Sequence, residues 1–511
     1  MRFILRNAKR LDPARKDRDV MTQPLRRGSV PREALIGAAA PEQSGIVHLG
    51  LGNFHRAHAA TYTAQALAHE VGEWGIRGFS HASRTVVESM RKQENLYSVL
   101  RLTDHGAEAG VVDVHRGVGV ASEDPEAVVS SIADPAHRIL TLTVSEFGYS
   151  RNSATGTLDL DDEGIRADLV PGAMPRTALG MMARGLERRA EGGEPFTVLS
   201  CDNLQSAGQV THDVLREFLH ATNARPDVLD YAETQVSYPN AMVDRIVPKT
   251  TAAHGEMVAE MLGVIDDCPV PAEEFSMWVM EDDFAAGRPA WERAGAVFSD
   301  EVEAYEMVKL RLLNGSHSLI AYLGILSGGR TIADAWGMDF IRQAVLAGIS
   351  DDYLPTFELP SGFDARTYVE ELSRRWSNSL IDHATTQVGS DGSLKLLQRI
   401  PGAALHTLEG GRVPHFLALC VAAWIACVVP PRGFDAGSLA QQIREPSREA
   451  LLQAVEGAET LYEHARRILE GGFFPSQLAG HEEFTARVAE LLQVIVRHGA
   501  RAAAAEAMAA R

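Results

Sequence analysis

The chain has 511 residues, 45% hydrophobic and 23% charged, the balance of a globular protein with room for roughly two to four domains. Disordered, collagenous and coiled-coil architectures are excluded. Lys and Arg number 49 against 68 Asp and Glu, a formal charge of −19 that repels a phosphate backbone, so no nucleic acid partner is expected.

In chain order, residues 1–30 open on a basic stretch whose only apolar run is Phe3-Ile4-Leu5, too short for a secretory signal. They are expected to be a disordered tail, or an upstream start before Met21. Residues 31–295 alternate short apolar runs with amphipathic helical stretches, the pattern of a parallel sheet covered by helices. Strands are predicted at 46–49, 76–79, 139–144, 196–200 and 277–280. Runs at 97–102 and 111–117 flank the turn Asp104-His105-Gly106 and read as an antiparallel pair inserted in that sheet. Gly287, Pro289 and Gly295 mark the boundary, and residues 296–511 are nearly all helix, with patterns at 301–326, 332–349, 365–379 and 447–469. The fold class is α/β: a Rossmann-type N-terminal domain followed by a mostly α-helical C-terminal one. The most apolar stretch, 416–429, is too short to span a bilayer and suits a buried helix, so no membrane partner is expected. The Ala-rich end, 501–511, favours helix. Cys201, Cys268, Cys420 and Cys427 make no CxxC pair and no zinc spacing, which points to reduced thiols in a cytoplasmic protein.

The first strand runs into Gly50-Leu51-Gly52-Asn53-Phe54-His55-Arg56-Ala57-His58, and a long helix is expected to follow to about His69. Glycines at such a turn let the backbone approach a pyrophosphate, whose charge rests on free amides at the helix start. His55 stands where GxGxxG requires a third glycine, so on this fragment alone a tight structural turn is the competing reading. His55 and His58 form an HxxH pair with no acidic or cysteine partner nearby, and no metal is expected. The end of the second strand, Ser80-His81-Ala82-Ser83-Arg84, lacks the acid that usually binds the NAD ribose, and Ser80 and Arg84 leave NADP open.

At ~100° per residue, Glu306, Lys309, Asn314 and His317 fall within an arc of roughly 140° on a helix. Burial beside Val308, Leu310, Leu312 and Leu313 would push the Lys309 pKa down, toward a base useful near neutral pH. The same spacing also fits a snorkelling lysine, a core histidine, an Asn314 beside a kink at Gly315, and a surface pair between Glu306 and Lys309.

GLGNFHRAH, Ser200-Cys201-Asp202-Asn203-Leu204, the block from Tyr238 to Ile246, Trp278-Val279-Met280-Glu281-Asp282-Asp283-Phe284, GRPAWE at 287–292, KLRLLNGSH at 309–317 and DGSLK at 391–395 together resemble the long-chain polyol dehydrogenase family. That family includes mannitol 2-dehydrogenase and fructuronate reductase (mannonate oxidoreductase). The resemblance spans about residues 45–400 and carries the family's KxxxxNxxH signature on Lys309, Asn314 and His317. It implies metal-independent hydride transfer with NAD favoured and NADP open, Gly50, Gly52, Asn53, Phe54, His55 and Arg56 serving the cofactor, and a site between the two domains. Lys309 would act as base, Asn203 and Asn314 as donors to the reacting oxygen, His317 as an orienting group and Glu306 as a proton relay.

Asp244 is implied to hold substrate or the lysine; a local acidic cap near Pro248 remains its alternative. His383, Gln387 and the KLxQR run of Lys395 and Arg399 look like the fructuronate reductase branch, with a sugar acid as substrate and these cations supplying charge for its carboxylate. A polyol such as mannitol or arabinitol is the alternative substrate, and a catalytically silent dinucleotide sensor the alternative class. Oligomeric state is not legible.

Overall fold

A computed structural model describes residues 23–37, 41–152 and 155–511. The chain divides into two compact units, one ending at Glu303 and the next beginning at Ala304. The division falls within the helix Val302–Val308, later than the glycine turn at Gly295.

In the first unit, β1 (Ser44–Leu49), β2 (Gly75–Ser80), β3 (His115–Val120), β4 (Ile139–Leu142), β5 (Phe196–Ser200) and β6 (Val236–Ser237) form one all-parallel sheet. Its order is β3-β2-β1-β4-β5-β6, the doubly wound Rossmann arrangement, with its switch point between β1 and β4. Both faces are buried, which is why the strands read as apolar runs. Val47, Leu49, Leu140, Leu142 and Val198 pack on one side, and Ile46, Ile76, Ile139 and Leu199 on the other. His48 shares the second face by the same two-residue period.

Two expected elements, a strand and a hairpin, belong elsewhere. Met277–Met280 lies in a separate three-stranded sheet, antiparallel to Ala241–Asp244 and parallel to Val297–Phe298. An apolar run specifies burial but not a neighbour, so its sequence does not distinguish the two sheets. The hairpin turns where expected, with Thr103 opposite Gly106, but its strands sit in a four-stranded sheet with Leu35–Ile36 and Val270–Glu273 instead of inside the parallel one. The expected strand 111–117 is two elements: Gly106–Val112 closes the hairpin and His115–Val120 is the edge strand β3. Asp113, between them, takes Arg27 and Arg116 as ion partners.

Of the expected tail, residues 1–22 lie outside the described residues. Its last part is folded onto the domain: Gln23–Pro24 pairs with Val264–Ile265, and Leu25 is buried.

The second unit is helical. The pattern at 301–326 appears as Val302–Val308, a π-helical turn at Lys309–Gly315, and Ser316–Leu326. The pattern at 332–349 breaks at Gly337 into Ile332–Trp336 and Asp339–Gly348, and that at 447–469 breaks into Arg448–Ala454 and Leu461–Ile468. His415–Val428 is buried along its length, its first amides capped by the Asp352 carboxylate at 2.7 and 3.0 Å. The alanine-rich end is helix Ala500–Ala509, which buries Ala503, Ala504 and Ala507. Among the described residues no helix is long and apolar enough to cross a membrane. All four cysteines are buried free thiols; burial pushes those of Cys268 and Cys420 up to about 12, so neither forms a thiolate at neutral pH.

Candidate active site

The glycine turn follows β1 at the switch point. Gly50 has φ +105°, and a Cβ there would overlap the Thr143 carbonyl at the end of β4. Thr143 Oγ1 donates to the Gly50 carbonyl at 2.7 Å, tying the two strand ends together. Folding alone therefore demands glycine at 50. Gly52 is different: it is exposed, and a Cβ there would meet nothing closer than 3.7 Å. The space over Gly52 is open in the protein itself, a backbone cradle that a side chain would fill. That is the surface a pyrophosphate approaches, so the turn fits a dinucleotide.

The expected long helix is two, Asn53–Ala57 and Ala59–His69, broken at His58. Arg56 is buried and donates to Asn53 Oδ1 at 2.7 Å and to the Cys268 carbonyl at 2.6 Å, while Asn53 donates to Thr250 Oγ1 at 3.1 Å. Arg56 thus braces the turn from behind. Phe54 stacks on His58 at 4.9 Å. The His55 ring lies beneath the turn, stacked on His48 at 3.3 Å, with its Nε2 3.2 Å from Nε2 of His115. His58 Nε2 bonds the Met277 carbonyl instead, so the rings of the HxxH pair diverge. Among the described residues no group of three or more His, Cys, Asp or Glu is placed to hold a metal ion.

At the end of β5, exposed Asn203 follows buried Asp202. The Asp202 carboxylate accepts the amides of Val144 at 3.0 Å and Ser145 at 2.8 Å, and the Tyr149 hydroxyl at 2.8 Å. It locks the loop after β4 to the one carrying Asn203. Asp202 stands inside the Ser200–Leu204 block, but its sequence context alone does not mark this role. Asp244 is buried and ends the strand Ala241–Asp244, opposite Met277.

In the second unit Lys309 and Asn314 fall on the π turn and His317 on the helix after it. On a regular α-helix Lys309 and Asn314 would point ~140° apart. With hydrogen bonds running five residues back, the turn is wider and residues five apart point in closer directions than on an α-helix. Accessibility follows: Lys309 and Asn314 are partly exposed, while Glu306, Arg311–Leu313 and Gly315–His317 are buried. A Cβ on Gly315 would collide with the Tyr353 hydroxyl.

His317 lies edge-on to His383 at 5.7 Å and near Trp376 at 6.0 Å. Burial, then the charges of His383, Arg375, Arg399 and Lys395, hold its pKa well below the ordinary value. Burial, then Lys395 and Arg375, takes His383 down to about 4. Both rings are therefore neutral near pH 7. Lys395 Nζ donates to the carbonyls of Ser390 at 2.7 Å and Val388 at 3.3 Å. Arg399 donates to the Asn314 carbonyl and to Ser318 Oγ, both at 2.9 Å. Gln387 is exposed on the short helix Thr385–Val388. The structure thus gathers His317, His383, Lys395 and Arg399 and adds Arg375, a buried cation that lies outside the motifs and so gave no sequence signal.

The mannitol dehydrogenase Rossmann domain, as a family model, matches residues 44–293, and the mannitol dehydrogenase C-terminal domain residues 301–496. The chain is 36% identical over 469 residues to D-mannonate oxidoreductase of Escherichia coli (strain K12), covering 90% of this chain and 94% of that protein. It is similar to a D-sorbitol dehydrogenase in substrate-free form, with a TM-score of 0.83, 31% identity, and coverage of 94% of this chain and 100% of that one. It is also similar to Pseudomonas fluorescens mannitol 2-dehydrogenase in ternary complex with NAD and D-mannitol, with a TM-score of 0.80, 31% identity, and coverage of 92% and 95%.

Proposed function

The chain belongs to the mannitol dehydrogenase family of oxidoreductases, and from that premise we propose that it interconverts D-fructuronate and D-mannonate with NADH and without a metal. The carrying observation is the charge around His317. Arg375, Lys395 and Arg399 all act on one buried neutral ring, and Arg399 bonds only neutral oxygens, with no carboxylate in ion-pair reach among the described residues. Lys395 has Asp391 at 3.9 Å, and a sugar acid would bring the anion that Arg399 lacks. A polyol substrate, mannitol or arabinitol, is the second reading, supported by the likeness to a mannitol complex.

NAD is favoured over NADP. Arg84, the cation at the end of β2, is paired with Glu123, and a 2′-phosphate would have to sit beside that carboxylate. The nicotinamide, when bound, supplies or accepts the hydride. In reduction the Lys309 ammonium gives a proton to the carbonyl oxygen, and in oxidation the amine takes it back. The amides of Asn314 and Asn203 donate to that oxygen as charge builds on it. Neutral His317 orients a neighbouring hydroxyl, Glu306 passes the proton onward, and Asp244 holds substrate or the lysine.

The test is NADH and NADPH oxidation at 340 nm with D-fructuronate, D-tagaturonate and D-fructose, with and without EDTA. The expected result is rapid NADH oxidation with D-fructuronate, unchanged by EDTA. Preference for D-fructose would establish the polyol reading, and loss of activity restored by zinc would overturn the metal-free mechanism.

A further inference from the structure

The π turn that turns Lys309 and Asn314 toward the same side of the helix needs a restraint, because the regular α ladder is the more favourable arrangement for most sequences. Two groups grip it. Tyr353, itself in a π-helical turn, Ile349–Tyr353, occupies the space where any side chain at 315 would go. On the carbonyl side, one nitrogen of Arg399 holds both the Asn314 carbonyl and Ser318 Oγ at 2.9 Å. These acceptors lie where five-residue spacing returns to four-residue spacing, so a charged donor there fixes the register.

Arg399 is an unusual donor for this task. It ends the helix Gly392–Arg399, and its surroundings are Tyr322, Tyr353 and Cys420, none of them anionic at neutral pH. Burial works against its charge, yet the residue keeps part of its surface accessible. It is a cation set deep in the unit, partly accessible, with one nitrogen bonded to two neutral oxygens.

We propose that Arg399 is the positioning residue of the catalytic turn: it holds the Asn314 backbone in π geometry with one nitrogen while its accessible edge receives the substrate carboxylate, so that substrate charge and Asn314 alignment are coupled. The carboxylate half rests on the sugar-acid reading above; the grip on the turn does not. A consequence is that a sugar acid is favoured in kcat as well as in KM, because its anion secures the group that aims the Asn314 amide.

The experiment compares wild type with Arg399→Met, Arg399→Lys and the milder Ser318→Ala, which removes one contact and leaves the charge in place. Hydrogen exchange over residues 309–318 of the free enzyme is read together with kcat and KM for D-fructuronate and D-fructose. Arg399→Met is expected to speed exchange in that segment and to lower kcat for both ketoses by about 10²-fold, the scale of a small misplacement. Its KM should rise for D-fructuronate alone. Arg399→Lys should restore much of the KM but less of the kcat, since one ammonium does not reproduce the guanidinium fork, and Ser318→Ala should show the kcat effect in reduced form. A rise in KM with unchanged kcat and unchanged exchange would overturn the proposal, reducing Arg399 to an anchor. A kcat and exchange effect without any KM effect on D-fructuronate would uphold the grip and remove the carboxylate contact. If wild type reduces neither ketose, the functional reading fails, while faster exchange in Arg399→Met still upholds the grip and unchanged exchange still overturns it.

Discussion

Lys309→Ala is expected to lower kcat by about 10²- to 10⁴-fold, the range a positioned general acid contributes, while NADH binds as in wild type. Lys309 is partly exposed on a turn whose neighbours at 308 and 311–313 are buried. The cofactor turn at Gly50–Gly52 lies in the other unit, so cofactor affinity, measured by quenching of protein fluorescence, should not move. Lys309→Arg should be as inactive, because a guanidinium does not release its proton near neutral pH. Near-normal turnover in the alanine variant would remove Lys309 from proton transfer.

The second large effect is on stability in acid. His48, His55 and His115 are fully buried under the glycine turn. His48 is pushed down to about 3 by burial, although its Nδ1 lies 2.9 Å from Thr141 Oγ1. Burial, then His48 and His115, then Arg56 and His58, holds His55 well below its ordinary value. Burial, then His48, Arg56 and Arg116, does the same to His115. In the unfolded chain all three take up protons near pH 6.5. Below that pH the unfolded state binds more protons, so the stability present above pH 6.5 is lost as pH falls. All three shifts have the same sign, so protonation of these rings in the unfolded chain makes stability fall as pH drops below about 6.5. Urea midpoints measured from pH 7 to 4.5 should fall steeply, and less steeply in His48→Gln. A flat profile would show that these rings accept protons within the fold.

Much of this was legible in the sequence, for identifiable reasons. The strands at 46–49 and 196–200 were readable because strands buried on both faces need unbroken apolar runs, and the turn after β1 because only glycine satisfies φ +105° at Gly50. The partner sheet of Met277–Met280 was not, since strand pairing is a long-range choice that a four-residue run does not encode. The π turn was invisible to a 3.6-residue period; it follows from Tyr353 filling the space at Gly315 and from Arg399, distant in sequence. His55 stood in the motif, but its burial against His48 and His115 required the β1–β2–β3 neighbourhood. Asp202 and Arg375 act through neighbours that only the fold supplies.

The most direct test of the central claim is to reduce D-fructuronate with NADH carrying deuterium at C4 on either face and to analyse the product by mass spectrometry and NMR. D-mannonate with one deuterium on the new carbinol carbon is expected from one of the two labelled cofactors, and none from D₂O at that carbon. No D-mannonate, or carbinol deuterium derived from solvent, would contradict direct hydride transfer to a sugar acid.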